Sequence, residues 1–183
     1  MKNTNIILAV CAGAAIYKSC DLLRRLKDKG YCVTVVMSRE ARELISPLLF
    51  QSLSGNKVYC EMFATTDDYE IEHVSLAQKA DLVLIVPATA NVIAKIACGI
   101  CDDLVSCTVC ATRAPVLIAP AMNENMYRNR ITQENIGKLK SLGYKFVGPI
   151  KGRLVNGRLG LGHLADVAEI VKEAGRVLGS SAR

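Results

Sequence analysis

Four short runs of the chain are apolar at almost every position: NIILAV (5–10), YCVTVVMS (31–38), DLVLIVPA (81–88) and APVLIAPA (114–121). A strand wetted on one face alternates apolar and polar residues. A strand covered on both faces does not, and continuous runs of this kind are typical of parallel sheets packed between helices. The intervening segments carry the helical period instead. Residues 15–29 bring Ile16, Cys20, Leu23 and Leu26 to one face, and Gly30 stops the pattern. The alternation predicts an α/β fold, a three-layer sandwich around a mostly parallel sheet, Rossmann- or flavodoxin-like.

The remaining elements follow from the same signals. A helix is expected soon after Ser38, and Pro47 interrupts it before a short helix over Leu48–Leu53. KVYCEMF (57–63) reads as a weak strand and TTDDYEIEH (65–73) as a polar loop. HVSLAQKA (73–80) reads as the edge of a helix. Residues 91–111 read as one helical segment broken near Gly99, and residues 132–142 as another helix. YKFVGP (144–149) is the last clear strand, and the terminal helix ends in a frayed tail over 178–183. With 183 residues and no linker or repeat, residues 1–183 are expected to form a single domain.

Composition narrows the function classes. Half the residues are hydrophobic, 51%, against 22% charged, which excludes a disordered chain. The net charge of +6 suits phosphate-bearing ligands and also suits plain solubility. Lysine and arginine are scattered, with no basic run beside aromatics, so nucleic acid is not an expected partner. No apolar run approaches a membrane span. The N-terminus lacks a signal-peptide layout, and the eight cysteines sit in strand-like and helical runs. That implies a reducing compartment and a cytoplasmic protein. Cys98–Cys101 and Cys107–Cys110 form two CxxC pairs. Helical periodicity puts one pair of positions on a buried face, as small hydrophobes, and no metal is expected.

In such a fold, ligands bind beyond the carboxyl ends of the strands. The loops there hold Gly13, Ser38, Pro87–Asn91, Pro120–Asn125 and a glycine-rich stretch, KGRLVNGRLGLGHL (151–164). Each has two readings. The small residues of AGAA (12–15) either cradle a phosphate or make a tight strand–helix turn. Ser38 offers a hydroxyl to phosphate or caps a helix. His73, one of two histidines, either moves a proton or is structural. Thr89 and Asn91 cap a helix or hydrogen-bond a ring. Asn123 and Asn125 supply neutral donors and acceptors for a carboxylate. Met122, Met126 and Tyr127 wall a pocket or fill the core.

Five segments together, AGAAIYK, PLLFQSLSG, IEHVSLA, ADLVLIVPATANVIAKIACGICDDL and APAMNENMYRN, resemble the FMN-dependent cysteine decarboxylases. The resemblance runs from about residue 5 to 172 and is strongest to the members of the coenzyme A pathway, the phosphopantothenoylcysteine decarboxylases. It implies FMN as cofactor and a small thiol-carboxylate substrate. It also implies a homotrimer or a dodecamer of trimers. Gly13, Ser38, Ala88, Thr89, Asn91 and Ser106 would hold FMN. His73 and Asn123 would be catalytic, with Asn123 gripping the carboxylate. Met126, Lys151, Arg153 and Gly157 would meet the substrate.

One stretch departs from that pattern. The coenzyme A enzymes read close to G-x-L-A-C-G-x-x-G-x-G-R-M where this chain reads GRLVNGRLGLGHL. The expected catalytic cysteine falls on Asn156, and His163 replaces an arginine. The glycine frame survives at Gly152, Gly157, Gly160 and Gly162, which predicts a flexible lid. Four readings follow: an engineered variant, oxidative decarboxylation of a peptidyl C-terminal cysteine to an enethiol, another residue in the thiol's place, or a catalytically silent subunit paired with a homologous chain.

Overall fold

The computed structural model describes residues 4–62, 72–153 and 157–181. Its centre is a six-stranded sheet with every neighbouring pair parallel. The strands are β1 (Asn5–Val10), β2 (Cys32–Met37), β3 (Val58–Tyr59), β4 (Leu82–Ala88), β5 (Val116–Pro120) and β6 (Lys145–Phe146). Their order is β3-β2-β1-β4-β5-β6, so the winding reverses between β1 and β4. That is the doubly wound order, and its switch point opens a crevice at the strands' carboxyl ends.

Alternate side chains of each strand feed two separate cores. Ile6, Leu8, Val10, Leu84, Val86 and Leu117 pack on one face with Leu22, Leu23 and Leu26 of α1 (Lys18–Asp28) and Ile170, Ala174 and Val177 of α8 (Val167–Ser181). Ile7, Ala9, Val83, Ile85 and Ile118 point the other way. They meet α4 (Ala90–Cys98), α5 (Leu104–Ala111) and α7 (Arg130–Ser141) through Ile93, Val105 and Leu139. Helix α2 (Pro47–Ser54) joins the first layer, and α3 (Glu72–Lys79), packed on α5, joins the second. The result is the expected three-layer α/β sandwich.

Several boundaries differ from the sequence reading. After Ser38 there is only a 3₁₀ turn, Glu40–Glu43. Pro47 is the first residue of α2, capped by the Ser46 hydroxyl, because proline at that position costs no hydrogen bond. The helix from 132 starts earlier, at Arg130, behind a short α6 (Glu124–Arg128). Helix α8 continues to Ser181, well into the stretch expected to fray, and residues 182–183 lie outside the described residues. The glycine-rich stretch is not a loop. It forms a separate antiparallel hairpin of β7 (Ile150–Arg153) and β8 (Leu159–His163).

The cysteine expectation also changes. Of the four cysteines in the two CxxC pairs, only Cys107 is buried, while Cys98, Cys101 and Cys110 are exposed. The reason is that α4 ends at Gly99, which is left-handed at φ 71°, so the four do not share one helix. No three His, Cys, Asp or Glu side chains converge as a metal site among the described residues. No described helix is long and apolar enough to cross a membrane.

Candidate functional site

A cavity of about 660 Å³ lies at the switch point. Three walls come from the turns after β1, β4 and β5, and the hairpin closes the fourth. This is the size and position expected for a cofactor or substrate site.

The floor is built from small residues. Ala12, Gly13, Ala14 and Ala15 line it, with Ala90 and Ala121 from the next two turns. At Gly13 an added Cβ would already lie 3.4 Å from the ring of Pro87, and anything longer would fill the space. The following 3₁₀ turn (Ala14–Tyr17) begins with the Ile16 N–H donating to the Gly13 carbonyl at 2.9 Å. Thr89 caps α4 by accepting from the Val92 N–H at 3.2 Å, which leaves its own proton to donate. Behind this wall, buried Ser19 of α1 donates to the Val86 carbonyl at 2.9 Å and fixes the end of β4.

Asn123 sits at the turn from β5 into α6. Its Oδ1 accepts from the Asn125 N–H at 2.8 Å. Asn123 lines the cavity, and its amide NH₂, a pair of neutral donors, makes no hydrogen bond among the described residues. Met126, half exposed, lies one helical turn later. An alkyl or flat ring on the floor and an oxyanion at the rim fit these groups.

The hairpin is fixed to the body at its base. The Met122 N–H donates to the Gly162 carbonyl at 3.0 Å. Gly162 has φ 145°, and a Cβ there would lie 2.2 Å from the Met122 carbonyl oxygen. Glu124 of α6 is held below the ordinary carboxylate range by Arg128 and then by the Leu161 N–H of β8. A third tie joins Lys18 Nζ of α1 to His163 Nε2 at 2.9 Å. These ties dock the two strands on the body in this structure. Leu154, Val155 and Asn156 lie outside the described residues.

The remaining candidates separate into groups. Gly13, Thr89, Asn123, Met126 and Arg153 share the cavity. Ser38 is buried and accepts from the Ala41 N–H at 3.3 Å, the capping alternative of the sequence reading. Ala88 is fully buried in β4, and its carbonyl accepts from Ala121 at 3.0 Å. Asn91 is exposed on the first turn of α4, and Lys151 and Gly157 are exposed on the hairpin. Ser106 is buried in a reciprocal cap with Asp103. Burial alone would raise the Asp103 pKa, but the hydrogen bonds from Lys95 and the Ser106 N–H outweigh it and lower it.

His73 is in α3, away from the cavity walls. Its Nδ1 is buried and has no hydrogen-bond partner among the described residues. Sequence reasoning missed Tyr17 and Lys18 and gave His163 little weight, yet all three line the cavity. Tyr17 and Lys18 were discoverable as the residues one turn beyond AGAA. His163 was not, because its partner is 145 positions away.

The chain belongs to the Flavoprotein family, whose pattern matches residues 1–179. It is related to the phosphopantothenoylcysteine decarboxylases. The coenzyme A biosynthesis bifunctional protein CoaBC of Bacillus subtilis is 43% identical over 174 residues, 95% of this chain and 43% of that protein. The chain thus spans less than half the length of the bifunctional relatives. A Streptococcus mutans protein named "probable phosphopantothenoylcysteine decarboxylase" is 42% identical, covering 92% of this chain and 95% of the relative. Among solved structures, the FMN-dependent cysteine decarboxylase SpaF superposes with TM-score 0.86 at 28% identity, covering 98% of both chains. A cysteine-to-serine mutant of PPC decarboxylase, complexed with pantothenoylaminoethenethiol, superposes at TM-score 0.84 and 27% identity, covering 96% of this chain and 98% of that one. Family membership implies that the chain binds a flavin, and the cavity's volume, small-residue floor and rim donors fit one.

Proposed function

We propose that the chain binds FMN and decarboxylates 4'-phosphopantothenoylcysteine to 4'-phosphopantetheine, a step of coenzyme A biosynthesis. The observation that carries this reading is the 42–43% identity to relatives named for that pathway, across nearly the whole chain. The cavity at the switch point supports it, because Asn123 and Thr89 line it together with the small residues 12–15.

Gly13 and Thr89 would hold the cofactor at the cavity. Ser38, Ala88, Asn91 and Ser106 are assigned to the same task by resemblance, as supports of the loops around it. When bound, flavin supplies a two-electron acceptor for the carbon beside sulfur, which gives the departing carboxylate an electron sink. The chain's own residues bind and orient. The Asn123 NH₂ donates to the substrate carboxylate without adding a charge that would stabilise it against loss of CO₂. Met126 covers the apolar part of the thiol arm. Arg153, Lys151 and Gly157 bring the hairpin onto the substrate.

His73 is assigned to proton handling or substrate orientation. Its Nδ1, unpartnered among the described residues, and its absence from this chain's cavity lining favour a site shared between copies, in a homotrimer or an assembly of trimers. The protein is read as acting in the cytoplasm.

A second reading is favoured by one observation. The hairpin, residues 150–163, contains no cysteine. Without a thiol acid there, the reaction stops at an enethiol, as expected for a peptidyl-cysteine decarboxylase. Incubation of the FMN-loaded protein with 4'-phosphopantothenoylcysteine, followed by mass spectrometry, tests both. A saturated product supports the first reading, and a product lighter by two hydrogens supports the second. If CO₂ is not released from this substrate or from a peptide ending in cysteine, both readings fall. A silent subunit paired with a homologous chain would then remain. Asn156→Cys is expected to raise the saturated fraction of the product.

A further inference from the structure

The cavity is lined by a cluster of basic side chains, of which the proposed function uses only Arg153. Lys18, Arg153 and His163 line it, and no carboxylate does so among the described residues. Lys18 makes no ion pair with an acid there; its partner is the His163 ring. Arg153 spends one contact on its own hairpin, with Nε donating to the Gly157 carbonyl at 3.4 Å. The rest of its guanidinium fork makes no hydrogen bond or ion pair among the described residues.

The arrangement around His163 is constructed. Its Nδ1 faces the Arg153 carbonyl at 3.2 Å, a group that only accepts, so this nitrogen carries the proton. Nε2 then presents a lone pair, and the Lys18 ammonium donates to it at 2.9 Å. The ring lies against Gly152, where any Cβ would stand 2.8 Å from it. A neutral ring thus anchors a lysine by one of its three donors and leaves two for a ligand.

We infer that Lys18, held by His163, and Arg153 form an anion subsite that receives the phosphate monoester end of the substrate. In it Lys18 and Arg153 are binding residues and His163 is a positioning residue. The inference rests on the reading that the cavity takes a phosphorylated thiol. It deepens that reading by favouring the phosphorylated small molecule over an unphosphorylated peptide. A phosphate monoester carries nearly two negative charges at neutral pH, and charge-assisted hydrogen bonds to it are the strong ones.

The test uses two probes that lack cysteine and so cannot react, 4'-phosphopantothenate and pantothenate. Both are titrated calorimetrically into the FMN-loaded protein. The wild type is expected to bind the phosphorylated probe about 10- to 100-fold tighter, as for one or two hydrogen bonds to a charged group. Lys18→Met and His163→Leu should bring that ratio close to one. His163→Gln, which retains an acceptor for Lys18, should recover part of it, an outcome a merely structural role would not give. Added salt should lower the wild-type ratio. Equal binding of both probes by the wild type, or an unchanged ratio in Lys18→Met, overturns the subsite.

The flavin's own phosphate is the competing source. If Lys18→Met instead abolishes the preference for FMN over riboflavin, the subsite belongs to the cofactor and the inference fails. Turnover separates the two levels. Decarboxylation without phosphate preference sinks the subsite alone. Phosphate preference without decarboxylation sinks the proposed reaction and leaves the subsite standing.

Discussion

The cavity has two kinds of wall. The turns after β1, β4 and β5 rise directly from the central sheet, and their polar groups are set by caps and backbone bonds such as Thr89 to Val92. The β7–β8 hairpin belongs to no part of that sheet. It is held by a carbonyl at Gly162, a carboxylate at Glu124 and one lysine–histidine contact. The sheet walls share the stability of the whole domain. Among the described residues the hairpin wall has few ties to the body, so it can open with the rest intact.

The largest effect should come from the sheet side. Leu84 is fully buried in β4, and Leu84→Ala is expected to cost about 3 kcal/mol, within the usual range for such a truncation. Both walls should be lost in one thermal transition. A hairpin whose amides stay protected after the sheet has melted would break the comparison. Gly162→Ala comes next. Its Cβ would sit 2.2 Å from the Met122 oxygen, at a φ that only glycine adopts readily, so the hairpin must leave its seat. Hydrogen exchange should rise over residues 150–163, with the sheet amides still protected, and turnover should fall more than about tenfold. Unchanged exchange in the hairpin would show that the seat is not there.

Smaller effects sharpen the picture. Asp103 caps α5, and Asp103→Ala should cost about 1 kcal/mol, read from the denaturation midpoint. The Asp103 pKa is depressed in the folded state. Its stabilisation is therefore fully present above the ordinary carboxylate value, about 3.9, and is lost as pH falls below that through the folded value. The acid limb of the stability profile should flatten in Asp103→Ala. Thr89→Val should cost slightly less than the Asp103 change in stability, yet loosen retained flavin, as read by absorbance after gel filtration.

How much of this was legible depended on what the residues contact. The four continuous apolar runs announced β1, β2, β4 and β5, because both faces of those strands are buried and no position needs a polar residue. Strand β3 was blurred, and the clear run over 144–149 overstated β6, since each pairs through only two residues. The hairpin was hidden by its glycines and by Lys151 and Arg153, which remove the apolar alternation that marks a strand. The tail of α8 looked frayed because the terminal GSSAR stretch offers only glycine and small polar residues before its end. The stripe of Ile170, Ala174 and Val177 against the core overrides them. Asn123 and Thr89 could be found because they follow strands immediately. Lys18 and His163 could not be paired from sequence, since the fold alone joins them.

The seat at Gly162 separates two properties that most pockets mix. The groups proposed to hold the flavin, Gly13 and Thr89, lie in turns that rise from the sheet, whereas Arg153 and His163 ride on the hairpin. Residues 150–163 therefore act as an exchangeable panel. Grafting the corresponding stretch from a relative with another preference would retune which thiol enters, while the cofactor cradle and the two cores stay as they are.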